Sequence, residues 1–252
     1  MKSKTKQVTQ QYLYGIHPVK EALIAQKRDI KRVFINQRRR NPRLDEIVSM
    51  ATQRNIKITY VSSSDVSDMA QHEEHQHVVA HVSALPLINF QDMITSNAFI
   101  IICDQIVDPH NMGAIIRTAL AAGATGLITP KDHCTPLSAT VSKISSGAME
   151  HLKIARVTNL VRCIKTLKKE GIWVFGLDGH AKISVYDVQF DTSLALVVGG
   201  EHKGIRRLVY ENCDHTVHIP QIGPLDSLNA SVAAGVAMYE IFRQRKTFRS
   251  AL

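Results

Sequence analysis

The sequence predicts a two-domain α/β protein whose larger, second domain is built on a parallel sheet. Three observations predict it. From residue 98 onward, wholly apolar runs of strand length alternate with helical patterns, the arrangement of a sheet covered on both faces. The first 82 residues hold a shorter set of strands and helices of their own. Charge divides the chain in the same region. Residues 1–60 carry 14 Lys/Arg against 4 Asp/Glu, and residues 61–97 carry 5 acids with no Lys or Arg. With 252 residues in all, domains are expected at 1–83 and 98–252, joined by a linker at 84–97.

After a polar, basic start, residues 12–14 read as a short strand. Pro18, whose fixed φ suits a first helical turn, opens a helix. Residues 31–36 (KRVFIN) read as a strand, and Pro42 starts a second helix. In that helix Leu44, Ile47, Val48 and Ala51 recur at the spacing of one apolar face. Residues 56–61 alternate like a half-buried strand, Ser64 is placed to cap a short helix, and residues 78–82 make a last strand. In the second domain, strands are expected at 98–103, 126–129, 172–177, 194–198 and 216–219. Helices are expected at 114–122, 160–169 and 230–245, the first two closed by Gly123 and Gly171.

Composition narrows the function. Apolar residues make up 44% and charged residues 21%, which is globular and excludes collagen, coiled coil and wholesale disorder. No stretch approaches the roughly 18 apolar residues of a bilayer span. The start, MKSKTKQVTQQ, lacks the apolar core of a signal peptide; it reads as a short tail, or as a weak transit segment. Cys103, Cys134, Cys163 and Cys213 form no CxxC pair, which suits a reducing cytosol better than a zinc ribbon or a disulfide scaffold. His72, His75, His77 and His81 are the one metal-like constellation, and their irregular spacing argues against a metal. A net charge of +9, concentrated at the front, points to a phosphate-bearing partner. Arg28, Lys31, Arg32, Arg38, Arg39 and Arg40 are the candidate contacts; their bland reading is a solvated basic face.

Ligands of parallel sheets gather at the carboxyl ends of strands. Three such ends are polar and glycine-bearing: residues 104–113 (DQIVDPHNMG), 199–204 (GGEHKG) and 219–229 (IPQIGPLDSLN). Turns need Gly, Asn and Pro for backbone reasons alone, yet three in one domain mark a site. The sequence contains no GxxxxGK[ST], GxGxxG or HExxH, which argues against a Walker loop, a standard dinucleotide site and a zinc-protease site.

At these loops the chain resembles the SpoU (TrmH) family of RNA 2′-O-methyltransferases, within the SPOUT superfamily. Residues 108–119 (DPHNMGAIIRTA), 197–205 (VVGGEHKGI) and 219–235 (IPQIGPLDSLNASVAAG) are similar to the family's three motifs, in order. Residues 14–19 (YGIHPV) resemble the opening of its ribosomal-protein-like RNA-binding domain, so the resemblance spans the chain. Short matches at 131–132, 136–137, 139–140, 146–148 and 156–160 resemble the subgroup that modifies a guanosine of 23S rRNA. Three departures stand out. His77 replaces a usual glycine, His133-Cys134 a usual Arg-Ser, and Gln221 a usual Met.

The resemblance implies a trefoil knot that holds S-adenosylmethionine, a rare exception to unknotted connections. It assigns cofactor binding to Val198, Gly199, Gly200, Gly204, Ile219, Pro220 and Leu228. The glycines would let the main chain approach the cofactor, and Ile219 and Leu228 would supply apolar walls. It assigns Asn111, Arg117, Glu201, Ser227 and Asn229 to the catalytic set, with Arg117 expected to face the same mouth as Asn111. The resemblance gives activation of the ribose 2′-OH to Arg117. A guanidinium's permanent charge favours instead a phosphate clamp that orients the ribose. Glu201 is either a direct participant or a structural partner of Arg117 or of a helix end.

The implied activity is S-adenosylmethionine-dependent 2′-O-methylation of a guanosine ribose in 23S rRNA, free or in a precursor particle. The implied protein is a cytoplasmic homodimer paired through the apolar helix at 230–245, with no membrane and no metal. Two alternatives stay open: a tRNA ribose methyltransferase, against which the front domain argues, and a non-catalytic RNA-binding assembly factor, against which the intact polar set argues.

Overall fold

The structure, a computed structural model of the chain, describes residues 11–37, 41–201, 203–224 and 227–250, with side chains to Arg245 in the last helix. In chain order the elements begin with β1 (Gln11–Tyr14), α1 (Ile16–Ala25), β2 (Ile30–Asn36), α2 (Pro42–Gln53), β3 (Lys57–Val61), α3 (Ser63–Ala70) and β4 (Val78–Val82). They continue with β5 (Phe99–Asp104), α4 (Pro109–Ala121), β6 (Gly126–Pro130), α5 (Ala139–Ile144), β7 (Ile154–Val157), α6 (Leu160–Lys169) and β8 (Trp173–Leu177). The last are β9 (Ile183–Ser184), β10 (Leu194–Gly199), α7 (Arg207–Tyr210), β11 (His215–His218) and α8 (Ala230–Ser250).

Two compact units result. The first joins the residues up to Pro86 with Leu137–His151, and the second comprises Leu87–Pro136 and the residues from Leu152 onward. In the first, a four-stranded sheet runs in the order β1-β4-β2-β3, with β2 and β3 parallel and the other pairs antiparallel. Leu44, Ile47 and Ala51 of α2 turn the predicted apolar face onto Val33, Val78 and Ala80. Helix α3 is capped by Ser62 rather than Ser64. The Ser62 hydroxyl accepts from the Asp65 backbone N–H while the Asp65 carboxylate accepts from that of Ser62, a reciprocal capping box. His77 sits at φ +67, a left-handed backbone that costs a glycine least. His77 therefore occupies a strained backbone position with a side chain in place.

One expected RNA contact proves structural. Arg28 is buried and grips Glu150 with two hydrogen bonds, Nε to Oε2 at 2.7 Å and Nη2 to Oε1 at 3.0 Å. Its Nη1 also donates to Gln11 and to the Ser83 carbonyl, and Ser142 donates to the same carboxylate. Burying a charge is costly unless it is paired and hydrogen-bonded, and this buried guanidinium spends four of its five N–H donors inside the unit rather than on a phosphate. The sequence alone could not anticipate this, because Glu150 lies 122 residues away in the segment that joins the first unit.

The second unit carries a seven-stranded sheet in the order β7-β6-β5-β10-β8-β11-β9, and every pair in it is parallel. Strand β5 is buried along its whole length, as its unbroken apolar run predicts. Strands β7 and β9 lack such runs and escaped the sequence reading. The stretch expected as a linker packs instead from Leu87 onward: Ile88 donates its N–H to the Ile154 carbonyl, and Met93 is buried.

Helix α4 starts at Pro109, five residues ahead of the periodic pattern. Asp108 accepts the His110 N–H at 2.9 Å, and Pro109 needs no partner in a first turn. The loop expected there is thus the helix's own first turn, which brings Asn111 into the helix.

Candidate active site

Strand register brings the functional loops together. Gly199, the end of β10, pairs with Asp104, the end of β5. The fully buried Asp104 carboxylate accepts from the Arg206 backbone N–H at 2.9 Å and from its Nε at 2.7 Å, which pins the loop that follows β10. That loop leaves no room for side chains at its start. A Cβ on Gly199 would lie 2.2 Å from the Gly204 carbonyl carbon, and one on Gly200 would lie 2.3 Å from the Gln105 carbonyl oxygen. The close approach expected between these glycines and a cofactor is an approach to the chain's own backbone.

Three side chains from three distant segments meet beside this turn. Asn111 of α4 donates through Nδ2 to Glu201 Oε1 at 2.7 Å. Asn229 donates through Nδ2 to the same Oε1 at 2.5 Å and to Asn111 Oδ1 at 3.0 Å. With its own Oδ1, Asn229 accepts the Ser231 and Val232 N–H groups and so caps α8. Both amides take the same carboxylate oxygen. Glu201 Oε2 has no hydrogen-bond partner among the described residues.

Two cavities adjoin the cluster. One, of about 370 Å³, is walled by Leu177, Val198, Ile219 and Leu228, with Gly199, Gly200 and Ser227 along it. The other, of about 480 Å³, is lined by Gln105, Val107, Asp108, Asn111 and His133. Gly200, Glu201, Lys203 and Ala230 line both, so the Glu201 carboxylate stands where they meet. Both volumes are within the ordinary range of small-molecule sites.

Most of the expected cofactor residues lie on the first cavity: Val198, Gly199, Gly200, Gly204, Ile219 and Leu228 line it, whereas Pro220 does not. Of the expected catalytic set, Asn111, Glu201, Ser227 and Asn229 gather at or beside it, and Arg117 does not. Six residues after Asn111 on the same helix, Arg117 points about 120° away around the axis. It is exposed and lines neither cavity. Sequence reasoning missed Asp178 and His180, which follow β8 and line the first cavity. Asp178-Gly179-His180 is a fourth polar, glycine-bearing strand end, the very signal that found the other three.

Of the remaining basic candidates, Lys31 is exposed, and Arg32 is half-buried with its guanidinium 5.8 Å from the Phe34 ring centre. Arg38, Arg39 and Arg40 lie outside the described residues. No thiol is activated. Burial pushes Cys103 and Cys134 up, and Cys163 and Cys213 up to about 12. Among the described residues, no three His, Cys, Asp or Glu side chains group to hold a metal ion, and no helix is long and apolar enough to cross a membrane.

Comparison with known proteins places the chain in a family. Residues 98–239 match the family model described as the SpoU rRNA methylase family, and residues 12–87 match RNA 2′-O ribose methyltransferase substrate binding. The 23S rRNA (guanosine-2′-O-)-methyltransferase RlmB of Xanthomonas axonopodis pv. citri is 37% identical over 241 residues, covering 93% of this chain and 97% of that protein. RlmB of Vibrio vulnificus is 35% identical over 243 residues, 94% and 98% of the two chains. Among solved structures, the SpoU methyltransferase AviRb from Streptomyces viridochromogenes in complex with AdoMet shares the fold with a TM-score of 0.81. It is 24% identical and covers 98% of this chain and 95% of its own. With both family models matched in order along its length and relatives above one-third identity over nearly all of it, the chain belongs to the SpoU rRNA methylase family.

Proposed function

We propose that this protein is a 2′-O-methyltransferase acting on a guanosine ribose of 23S rRNA, with S-adenosylmethionine as methyl donor. The observation that carries the reading is the pair of cavities meeting at Glu201, one walled by apolar side chains and the other edged by polar groups. Leu177, Val198, Ile219 and Leu228 suit an adenine and its ribose, and the trefoil knot implied by the family would frame them. Bound there, S-adenosylmethionine supplies an electrophilic methyl group on its sulfonium.

The chain's own work is orientation and proton handling. Asn111 and Asn229 hold Glu201 Oε1, which leaves Oε2, without a hydrogen-bond partner among the described residues, to take the proton of a ribose 2′-OH. In this reading Glu201 replaces Arg117 as the proton acceptor, since a guanidinium stays charged near neutral pH. Arg117, exposed on α4, clamps a phosphate of the substrate. Lys31 and Arg32 add phosphate contacts in the first unit.

Exposed Val232, Tyr239 and Phe242 on α8 support a homodimer paired through that helix. The chemistry and the four unpaired cysteines suit the cytoplasm. The test supplies radiolabelled S-adenosylmethionine with unmodified 23S rRNA, 16S rRNA and tRNA in separate reactions, then maps the 2′-O-methyl position. Label in one guanosine of 23S rRNA is the expected result. Label only in tRNA overturns the substrate, and label in none overturns the activity.

A further inference from the structure

The opposite edge of the second sheet carries a site of another character. Trp173 opens β8 and His215 opens β11, whereas the candidate active site lies beyond the other ends of these strands. Trp173 is the chain's one tryptophan, and it is 46% exposed. Its ring stacks on His215 with centroids 5.6 Å apart and planes 14° from parallel. Phe175 tilts against the same imidazole at 5.6 Å. With Asp187, Asp191 and Thr192 these rings line a cavity of about 410 Å³.

The charge of this cavity runs against that of the molecule. The chain as a whole carries a net charge of +9, yet among the described residues no Lys or Arg lines the cavity. Asp187 and Asp191 are both exposed and have no ion pair or hydrogen bond among the described residues. Arg245 donates to the backbone carbonyls of Asn97, Ala98 and Thr192, the last of which lines the cavity. Two free carboxylates beside an open indole repel phosphate and attract a cation that can stack. An arginine side chain meets both demands, because its flat guanidinium lies on an aromatic face while its edge donates to carboxylates.

We propose that this cavity docks an arginine side chain of a basic protein segment. The occupant is peptide, not RNA. Strand β8 separates the cavity from the candidate active site by its five residues, about 3.3 Å each, so both can be filled at once. The proposal does not depend on the methyltransferase reading. It gives the protein a way to hold a protein component of its substrate particle without obstructing the site.

The single tryptophan supplies the readout. Full-length protein is titrated at constant ionic strength with a blocked Gly-Arg-Gly-Arg-Gly peptide, with its glutamine counterpart, and with a short single-stranded RNA, while Trp173 emission is followed. The arginine peptide is expected to saturate a change in emission, and the glutamine peptide to bind at least about tenfold more weakly. The double variant D187N/D191N, with free emission and circular dichroism like those of the parent, is expected to lose at least about tenfold in affinity for the arginine peptide. Its methyl transfer to deproteinised rRNA should be unchanged. Equal affinity for the glutamine peptide, an unaltered affinity in the double variant, or displacement of the peptide by RNA overturns the proposal. So does dissociation of a dimer by D187N/D191N, which would mean that a second copy covers the cavity. A several-fold gain in peptide affinity on K246Q/R249Q would mean that the chain's own end fills it, and overturns the proposal equally.

Discussion

Asn229 and Glu201 are joined by a hydrogen bond of 2.5 Å, and the same asparagine caps α8 with its other side-chain atom. The position thus couples a helix start to the carboxylate between the two cavities. The two duties separate by substitution. Aspartate caps a helix as well as asparagine does, so N229D should keep the α8 cap while setting a second carboxylate against Glu201. Alanine should cost about 1 kcal/mol through the lost cap. Both variants, and E201Q, should lower kcat by about 10²-fold or more, read from single-turnover methyl transfer. Full activity in N229D would show that the pair is structural only.

The turn after β10 tolerates no side chain at its first two positions. G199A and G200A should each destabilise the protein by about 1–3 kcal/mol, measured as a lower urea midpoint, because the added methyl meets backbone that cannot yield. G223A is the control: its Cβ meets nothing within 4 Å, and its stability should match the parent's.

Arg28 and Lys31 are three residues apart and should behave in opposite ways. Removing one partner of the buried Arg28–Glu150 pair strands a charge whose side-chain surroundings are 1% exposed, so R28A should cost about 3–5 kcal/mol in urea unfolding. K31A, at an exposed position, should leave stability within about 0.5 kcal/mol. It should flatten the salt dependence of rRNA binding by about one unit of slope, as expected for one lost phosphate contact.

His75 makes stability depend on pH. Its Nδ1 accepts the His77 N–H at 3.0 Å, which leaves the other nitrogen to donate to Ser67 Oγ at 3.1 Å, a neutral ring. Burial first, and the neighbouring His77 second, hold its pKa below the ordinary 6.5. The unfolded chain therefore binds a proton before the native one does. The stability this imidazole confers is complete above pH 6.5 and is lost as pH falls from there toward the lowered value. Replacing His75 with glutamine should flatten the stability curve between neutral and mildly acid pH.

Much of the fold could be read from the sequence because its strongest signals are local. Strand β5 is an unbroken apolar run, α2 repeats at helical spacing, and α6 runs from Leu160 to Lys169 as its pattern predicts. The three loops of the candidate site were legible because glycine and asparagine mark the ends of parallel strands. What escaped turns on single side-chain partners, one distant along the chain and two within a helical turn. Glu150 turns Arg28 from a surface cation into a buried one, Asp65 selects Ser62 over Ser64 as a cap, and Asp108 makes a loop into a helical turn. The placement of Arg117 away from both cavities follows from helix phase. Counting from Gly113, one turn back, put it on the wrong side of Asn111.

The central claim is that the loops after β8, β10 and β11 build one donor pocket, and calorimetry with S-adenosylhomocysteine, the demethylated donor, tests it most directly. The predicted result is one site per chain, retained in E201Q, which removes only the carboxylate that handles the proton, and lost in L228D, which puts a charge where the exposed Leu228 walls the cavity. No heat on titration, or undiminished binding by L228D, would contradict it.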